Sequence, residues 1–298
     1  MQELIQARGN SFYTAGPVQV GLVKISEKEV IFIDSGADKS FGRKLRQILD
    51  EKGWSLKAIL NTHSHADHDG GNEYLQKRTG CKIYASGFEC APICWPILEP
   101  VVLYGAYPPK DLQGKFLMAG PSQAEPLTEE NLPEGFEVIP LPGHSLNQVA
   151  YRSPDDVIYL ADALASKEII DKYKIIFVFN VGDYLKSLEK IKTLKAKYFV
   201  PAHAPASESV DDLAQYNIEK TLELGELIVE KLEEQKCMEV LLQDLFLEFG
   251  LEMNLAQWFL DGATLKAYLT WLYEEGIIDY RFDRGLMVWQ KKKGLKAL

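Results

Sequence analysis

The sequence predicts an α/β protein of two domains, and three observations carry that expectation. Over the first two thirds of the chain, short β-branched apolar runs alternate with segments of helical periodicity, the order expected of strands covered by helices. Beyond Pro205 the pattern turns almost wholly helical, with one hairpin near the end. At 298 residues the chain can bury a sizeable core and divide. The composition shift sets the boundary, giving a larger domain over 1–207 and a smaller, mainly helical one over 208–298.

The elements follow in order. Segments 18–24 and 30–34 read as strands joined by the polar turn 26–29, and the second closes in Asp34-Ser35-Gly36. Phe41, Leu45, Ile48 and Leu49 stand at helical spacing over 39–52, and Gly53 ends that helix. The apolar run 58–61 then leads into Thr62-His63-Ser64-His65-Ala66-Asp67-His68-Asp69-Gly70-Gly71, followed by a helix over 73–78. This stretch holds three of the five histidines. Alternate residues of an extended segment point the same way, so His63 and His65 can reach one ion, while Asp67 and His68 turn to a second position beside it. Neutral imidazole and carboxylate suit divalent zinc.

A strand over 81–85 and a short helix near Phe88 come next. Segment 93–135 has little periodicity, seven prolines, and the aromatics Trp95, Tyr104, Tyr107 and Phe116. A long aromatic loop in a compact domain reads as a substrate lid over the histidine loop, built on Trp95, Tyr104 and Tyr107, or equally as a surface excursion or dimer contact. Strand 136–141 runs into Pro142-Gly143-His144-Ser145. Segments 149–152 and 157–160 form a hairpin, the second closing at Ala161-Asp162. A helix over 184–195 precedes strand 198–200, which ends in Pro201-Ala202-His203. Four strands thus end in His or Asp, and every histidine is used. In the last third, helices are expected over 210–234, 238–249, 254–260 and 264–273, then a hairpin about 283–285.

Composition narrows the function classes. Hydrophobic content of 46% and charged content of 26% are ordinary for a globular protein, and the net charge of −10 disfavours a nucleic-acid or anionic-membrane partner. From Ala206 on, 10 Lys/Arg face 18 Asp/Glu, a net of −8; Lys291-Lys292-Lys293 reads as a solvated tail. No apolar run reaches the roughly 18–20 residues of a membrane span. The start, 1–8, shows no signal-peptide pattern, so a cytoplasmic location with a small-molecule substrate is expected. Cys81, Cys90, Cys94 and Cys237 are too few for a disulfide framework; Cys90 and Cys94, one helical turn apart, are read as packing residues.

The Thr-His-x-His-x-Asp-His run, the later Pro-Gly-His, the Asp that closes a strand and the final Pro-x-His resemble the metallo-β-lactamase superfamily over about residues 15–207. The resemblance implies an αββα sandwich with two metals at one edge. It implies a first metal on His63, His65 and His144, a second on Asp67, His68 and His203, and Asp162 as the bridging carboxylate. The ions would be zinc, with iron or manganese as alternatives, and a bridging hydroxide would attack a small ester, thioester or related bond. Asp67 would also orient the attacking water. Asp34 and Asp69 are read as carboxylates that fix imidazole tautomers, with a helix N-terminal charge as the other reading for Asp69. The loop 62–72 looks like that of glyoxalase II. The same loop type occurs in persulfide dioxygenases, so an iron-dependent oxidoreductase is the alternative, with a metallo-nuclease after it. The C-terminal segment resembles a winged helix, expected to serve packing, a homodimer contact or completion of the substrate site. The chain departs from the family at Ala161, Ala202 and Ala204, where Gly is common, and at Ser145-Leu146-Asn147 in place of a small-residue turn.

Overall fold

The structure is a computed structural model and describes residues 2–292; Lys293 of the basic cluster lies outside them. The first half supplies β1 (Leu4–Arg8), β2 (Ser11–Thr14), β3 (Gly21–Lys24), β4 (Glu29–Ile33), α1 (Lys39–Lys52), β5 (Ser55–Leu60), α2 (Ala66–Asp69), α3 (Asn72–Thr79), β6 (Lys82–Ala85), α4 (Cys90–Cys94), α5 (Leu98–Tyr104) and β7 (Ala124–Pro126). Its strands form one seven-stranded sheet in sequence order, antiparallel as far as β4 and parallel from β4 to β7.

The next segment supplies β8 (Glu137–Pro140), β9 (Val149–Arg152), β10 (Val157–Ala165), α6 (Lys167–Tyr173), α7 (Val181–Thr193) and β11 (Tyr198–His203). These strands make a second sheet, ordered β11-β10-β9-β8. The chain ends in α8 (Asp211–Lys231), α9 (Met238–Phe249), α10 (Leu255–Glu274) and the antiparallel pair β12 (Ile278–Asp283) and β13 (Leu286–Lys291).

Strand alternation builds the layers. On β4, Ile31 and Ile33 face the second sheet, where they join Tyr151, Tyr159 and Val200 in the inter-sheet core. Val30 and Phe32 face the other way, against Leu45 and Leu49 of α1 and Leu75 of α3. On β10, Val157 and Tyr159 point inward, whereas Ile158 and Leu160 point out to α7 and α8. The result is the αββα sandwich.

The outer core of the second sheet continues without a break into Leu241, Leu245, Leu265 and Leu272 of α9 and α10. The helix read over 39–52 is α1, capped by Asp38, whose carboxylate accepts from the backbone N–H groups of Ser40 and Phe41, and closed by Gly53 at φ 67°.

Three expectations change. The two helices read over 254–260 and 264–273 are the single helix α10. Gly262 costs a helix about 1 kcal/mol relative to Ala, and burial of Leu265, Leu269 and Leu272 outweighs it. The segment 93–135 is less irregular than its prolines suggest. It carries α5, a 3₁₀ turn at Lys110–Leu112 and β7, and Pro100 sits in the first turn of α5, where no intrahelical donor is needed. The N-terminal strands β1 and β2 extend the first sheet beyond the expected start at 18.

All four cysteines are free thiols, with Cys90 and Cys94 each directed at a backbone carbonyl. Among the described residues, no helix is long and apolar enough to cross a membrane.

Candidate metal centre

Strand ends of both sheets deliver seven side chains to one place. His63 follows β5, and His65 is the residue before α2, which carries Asp67 and His68. His144 lies between β8 and β9, while Asp162 and His203 lie in β10 and at the end of β11. The ligand atoms of His63, His65 and His144 lie within 4.8 Å of one another, and so do those of Asp67, His68, Asp162 and His203.

Local backbone features aim these groups. Gly143 has φ 131°, and a Cβ there would stand 2.3 Å from the backbone of Tyr184, so the turn before His144 takes only glycine. The carbonyl of Gly143 accepts from the N–H groups of Phe179 and Asn180. The register between β10 and β11 shifts on both sides of Ala161, which adopts φ 48°. Ala161 thus takes up the left-handed bend for which Gly is common in the family, and the bulge turns Asp162 toward the site. Before β3, the side chain and backbone N–H of Gln19 bond the carbonyls of Ala204 and Ala202, bracing the loop that bears His203.

Hydrogen bonds assign the imidazole tautomers. His144 Nδ1–H donates to the carbonyl of Phe177 at 3.0 Å, and His203 Nδ1–H donates to that of Pro17 at 2.7 Å. His68 Nδ1–H donates to Asp34 Oδ2 at 2.8 Å. The Thr62 hydroxyl spends its proton on the same Asp34 oxygen, so its lone pair accepts from His63 Nδ1–H at 3.1 Å. Four Nε2 lone pairs are thereby left facing the centre, and His65 adds Nδ1, which stands 2.9 Å from His144 Nε2.

A metal fits this donor set. His63 Nε2, His68 Nε2 and Asp162 Oδ1 are buried with no hydrogen-bond partner, and His65 Nδ1 and His144 Nε2 lie close enough together to share one cation.

The two halves differ electrostatically. Burial holds His63 well below the ordinary imidazole range and His144 at about 4, so both are neutral ligands at pH 7. Burial opposes charge on His68 and His203 as well, but Asp162 and its neighbouring carboxylates overcome it. They raise His68 well above its usual value and His203 to about 10. That half attracts positive charge. Although burial pushes the Asp67 carboxyl up, His68 and His203 bring it down to about 2.

Of the two supporting aspartates read from the sequence, Asp34 bonds Thr62 and His68 from a left-handed backbone at φ 64°. Asp69 bonds no imidazole among the described residues. Burial and the nearby Glu99 push its carboxyl well above the usual range.

The sequence reading missed Glu89, which is 3% exposed. Its Oε2 accepts from Ser64 N at 3.0 Å and Ser64 Oγ at 2.7 Å; its Oε1 accepts from Ser145 Oγ at 2.8 Å and Asn147 N at 2.9 Å. One carboxylate therefore ties the loop bearing His63 and His65 to the loop bearing His144. Ser145 and Asn147, departures from the family pattern, are its donors.

Beside the cluster opens a cavity of about 530 Å³, lined by His144, Asp162 and His203 on one side and by Phe116, Phe177, Leu260 and Asp261 among others. Trp95, Tyr104 and Tyr107 do not line it. Trp95 and Tyr107 are exposed, and Tyr104 packs at a tilt against Phe259 of α10, with ring centroids 5.0 Å apart. From that aromatic segment it is Phe116 that reaches the cavity.

Comparison with known proteins agrees with the geometry. The profile described as the Metallo-beta-lactamase superfamily matches residues 13–203. A hydroxyacylglutathione hydrolase from Rhodospirillum rubrum is 28% identical over 164 residues, 55% of this chain and 54% of that protein. One from Rhodopseudomonas palustris is 33% identical over 138 residues, 45% of each chain. The chain thus spans about half the length of these curated relatives. A beta-lactamase domain protein from Burkholderia ambifaria superposes with a TM-score of 0.72 over 97% of this chain and 94% of that one, at 16% identity. A metallo-beta-lactamase family protein from Thermus thermophilus gives 0.69 over 98% of both chains at 18% identity. These structural likenesses extend through the C-terminal helices and speak for the fold.

Proposed function

Given that the chain belongs to the metallo-beta-lactamase superfamily, we propose that it is a metal-dependent hydrolase acting on a small ester or thioester. His63, His65 and His144 would hold one divalent ion, and Asp67, His68 and His203 a second, with Asp162 shared between them. The observation that carries this reading is the set of buried, unpartnered donor atoms (His63 Nε2, His68 Nε2 and Asp162 Oδ1), whose tautomers are already fixed from behind. Imidazole and carboxylate donors suit zinc. When bound, such ions polarise an acyl oxygen and make water nucleophilic near neutral pH.

The protein's own groups do the rest. Asp67 Oδ2 lies 3.1 Å from His203 Nε2, beside the same metal position, and its carboxyl is held down to about 2. A carboxylate of that acidity is a poor base, so its role is to orient the attacking water by accepting a hydrogen bond. Phe177 packs edge-on against His65 and His144 and keeps water from that side of the imidazoles. The curated relatives' name denotes hydrolysis of an acylglutathione, which supports an acyl bond as the target.

Elemental analysis of protein purified without added metal tests the reading, together with a panel of esters and thioesters. About two zinc per chain and thioester hydrolysis are expected, and His65→Ala should lose most activity and at least one ion. One iron per chain without hydrolysis, or full activity in His65→Ala, would overturn it.

A further inference from the structure

The cavity beside the cluster is an unusual vestibule for a negatively charged substrate. Its wall is mostly apolar, built from Val18, Phe116, Leu164, Ile175 and Leu260, and besides the histidines its ionisable groups away from the metal cluster are Glu168, Asp261, Lys172, Tyr173 and Tyr184. Asp261 stands out. It is 2% exposed on α10, and among the described residues it forms no ion pair.

Both of its oxygens accept from Gln257 Nε2, at 2.9 and 2.8 Å, one turn earlier on the same helix. A carboxyl group offers about four acceptor positions, so this single amide leaves capacity unfilled on a residue that lines the cavity. Burial raises its carboxyl to about 7. Helix packing does not call for an acid here, since Leu265, Leu269 and Leu272 bury the face of α10 that meets the core. A lone buried acid in an apolar wall is costly unless something donates to it.

Resting on the hydrolase reading of the adjoining cluster, we propose that Asp261, seated by Gln257, is the specificity residue of the substrate pocket. It receives a hydrogen-bond donor, a hydroxyl or an ammonium, at the far end of an apolar acyl chain, and it rejects a chain that ends in a carboxylate. An acid-ended chain would bring a second carboxyl group against Asp261 in an apolar wall, where neither could be solvated. A hydroxyl would fill a vacant acceptor position, and an ammonium would also supply the missing counter-charge. Because Asp261 lies on the C-terminal helix and not on a metal loop, its effect falls on binding of the chain.

The test uses the metal-replete full chain and a six-carbon series of N-acetylcysteamine thioesters ending in methyl, hydroxyl, ammonium or carboxylate. The hydroxyl- and ammonium-ended members should exceed the carboxylate-ended one in kcat/KM by about tenfold or more. The two favoured members separate a neutral donor from a cationic one. Asp261→Asn and Asp261→Leu should compress the ranking to about twofold, through KM with kcat little changed. A carboxylate-ended substrate as good as the others in the unmodified protein would overturn the inference without recourse to any variant. So would an unchanged ranking in both variants. Thermal shift of the same protein separates this inference from the function it rests on. If no thioester is cleaved, yet 1,6-hexanediol or hexylamine raises Tm and adipate does not, the pocket assignment stands and the hydrolase reading falls. Cleavage without ranking gives the reverse.

Discussion

Replacing Glu89 by Gln should loosen the proposed His63, His65 and His144 metal set. The side chain keeps its size, but only one of its two terminal atoms still accepts. In the protein each Glu89 oxygen takes one hydroxyl and one backbone N–H, Ser64 on one side and Ser145 with Asn147 on the other. A serine hydroxyl can rotate to accept from the new amide, whereas a backbone N–H cannot. One buried N–H, that of Ser64 or of Asn147, must therefore face an NH₂ group.

Hydrogen bonds to charged groups are worth about 1.5–3 kcal/mol, so a loss of about 2–3 kcal/mol is expected. At about 2 °C per kcal/mol for a chain of this size, Tm should fall by about 4–6 °C. The damage should fall mainly on the His63, His65 and His144 set, because only that set draws its ligands from both loops that Glu89 joins, whereas Asp67 and His68 sit together after the first loop and Asp162 and His203 lie on other strands. Elemental analysis after dialysis should therefore show a fall toward one ion per chain, consistent with the roughly 10–100-fold affinity loss typical of a disturbed supporting partner. A variant with unchanged Tm and unchanged metal content would refute the argument that this carboxylate holds the two loops together.

Other outcomes follow from the same structure. Gly143→Ala should cost about 3 kcal/mol or more, since its Cβ would meet the Tyr184 backbone; thermal unfolding and metal content both read this out. Asp261→Asn should change the pH dependence of stability. Folded Asp261 keeps its proton to about 7 against 3.8 for the free group, so wild-type stability falls as pH rises between those values and is level above them. Relative to wild type the variant should gain about 3 kcal/mol between about pH 5 and pH 8 in denaturant unfolding, and a constant difference would count against the buried acid. Removing residues 208–298 should strip the cover from Ile158, Leu160 and Phe199 and give aggregated protein on size exclusion. A soluble monomer of unchanged stability would show that those helices are not part of the core.

The sequence disclosed the residues that converge here because their signals are short-range. The spacing of His63, His65, Asp67 and His68 lies within one loop, and His144, Asp162 and His203 each stand where an apolar run stops. Glu89 carried no such mark. It meets Ser145 across 56 positions and sits on a three-residue turn with no periodicity to announce it. Asp261 was hidden for another reason: an acid in an amphipathic helix reads as solvent-facing, and only the packing of α10 against α5, α7 and α9 shows it buried. Trp95, Tyr104 and Tyr107, read as a lid or equally as a surface excursion or dimer contact, do not line the cavity. Aromatic content marks a segment as a candidate, but which ring turns inward depends on where the chain crosses α10, and the ring that does so is Phe116. Ala161 shows the opposite lesson, for the left-handed bend survives without glycine because the bulge between β10 and β11 imposes it.

The reach of α10 has a consequence for how this protein can diversify. Thr264 Oγ1 accepts from the N–H of Val178, next to Phe177, whose carbonyl fixes His144, and one turn earlier the same helix presents Leu260 and Asp261 to the cavity. A single helix far downstream thus anchors a ligand loop with one residue and shapes the pocket with others. Exchanging the pocket residues while keeping Thr264 would hand the same reactive centre a new clientele, with the inventory of metal-facing groups left as it is.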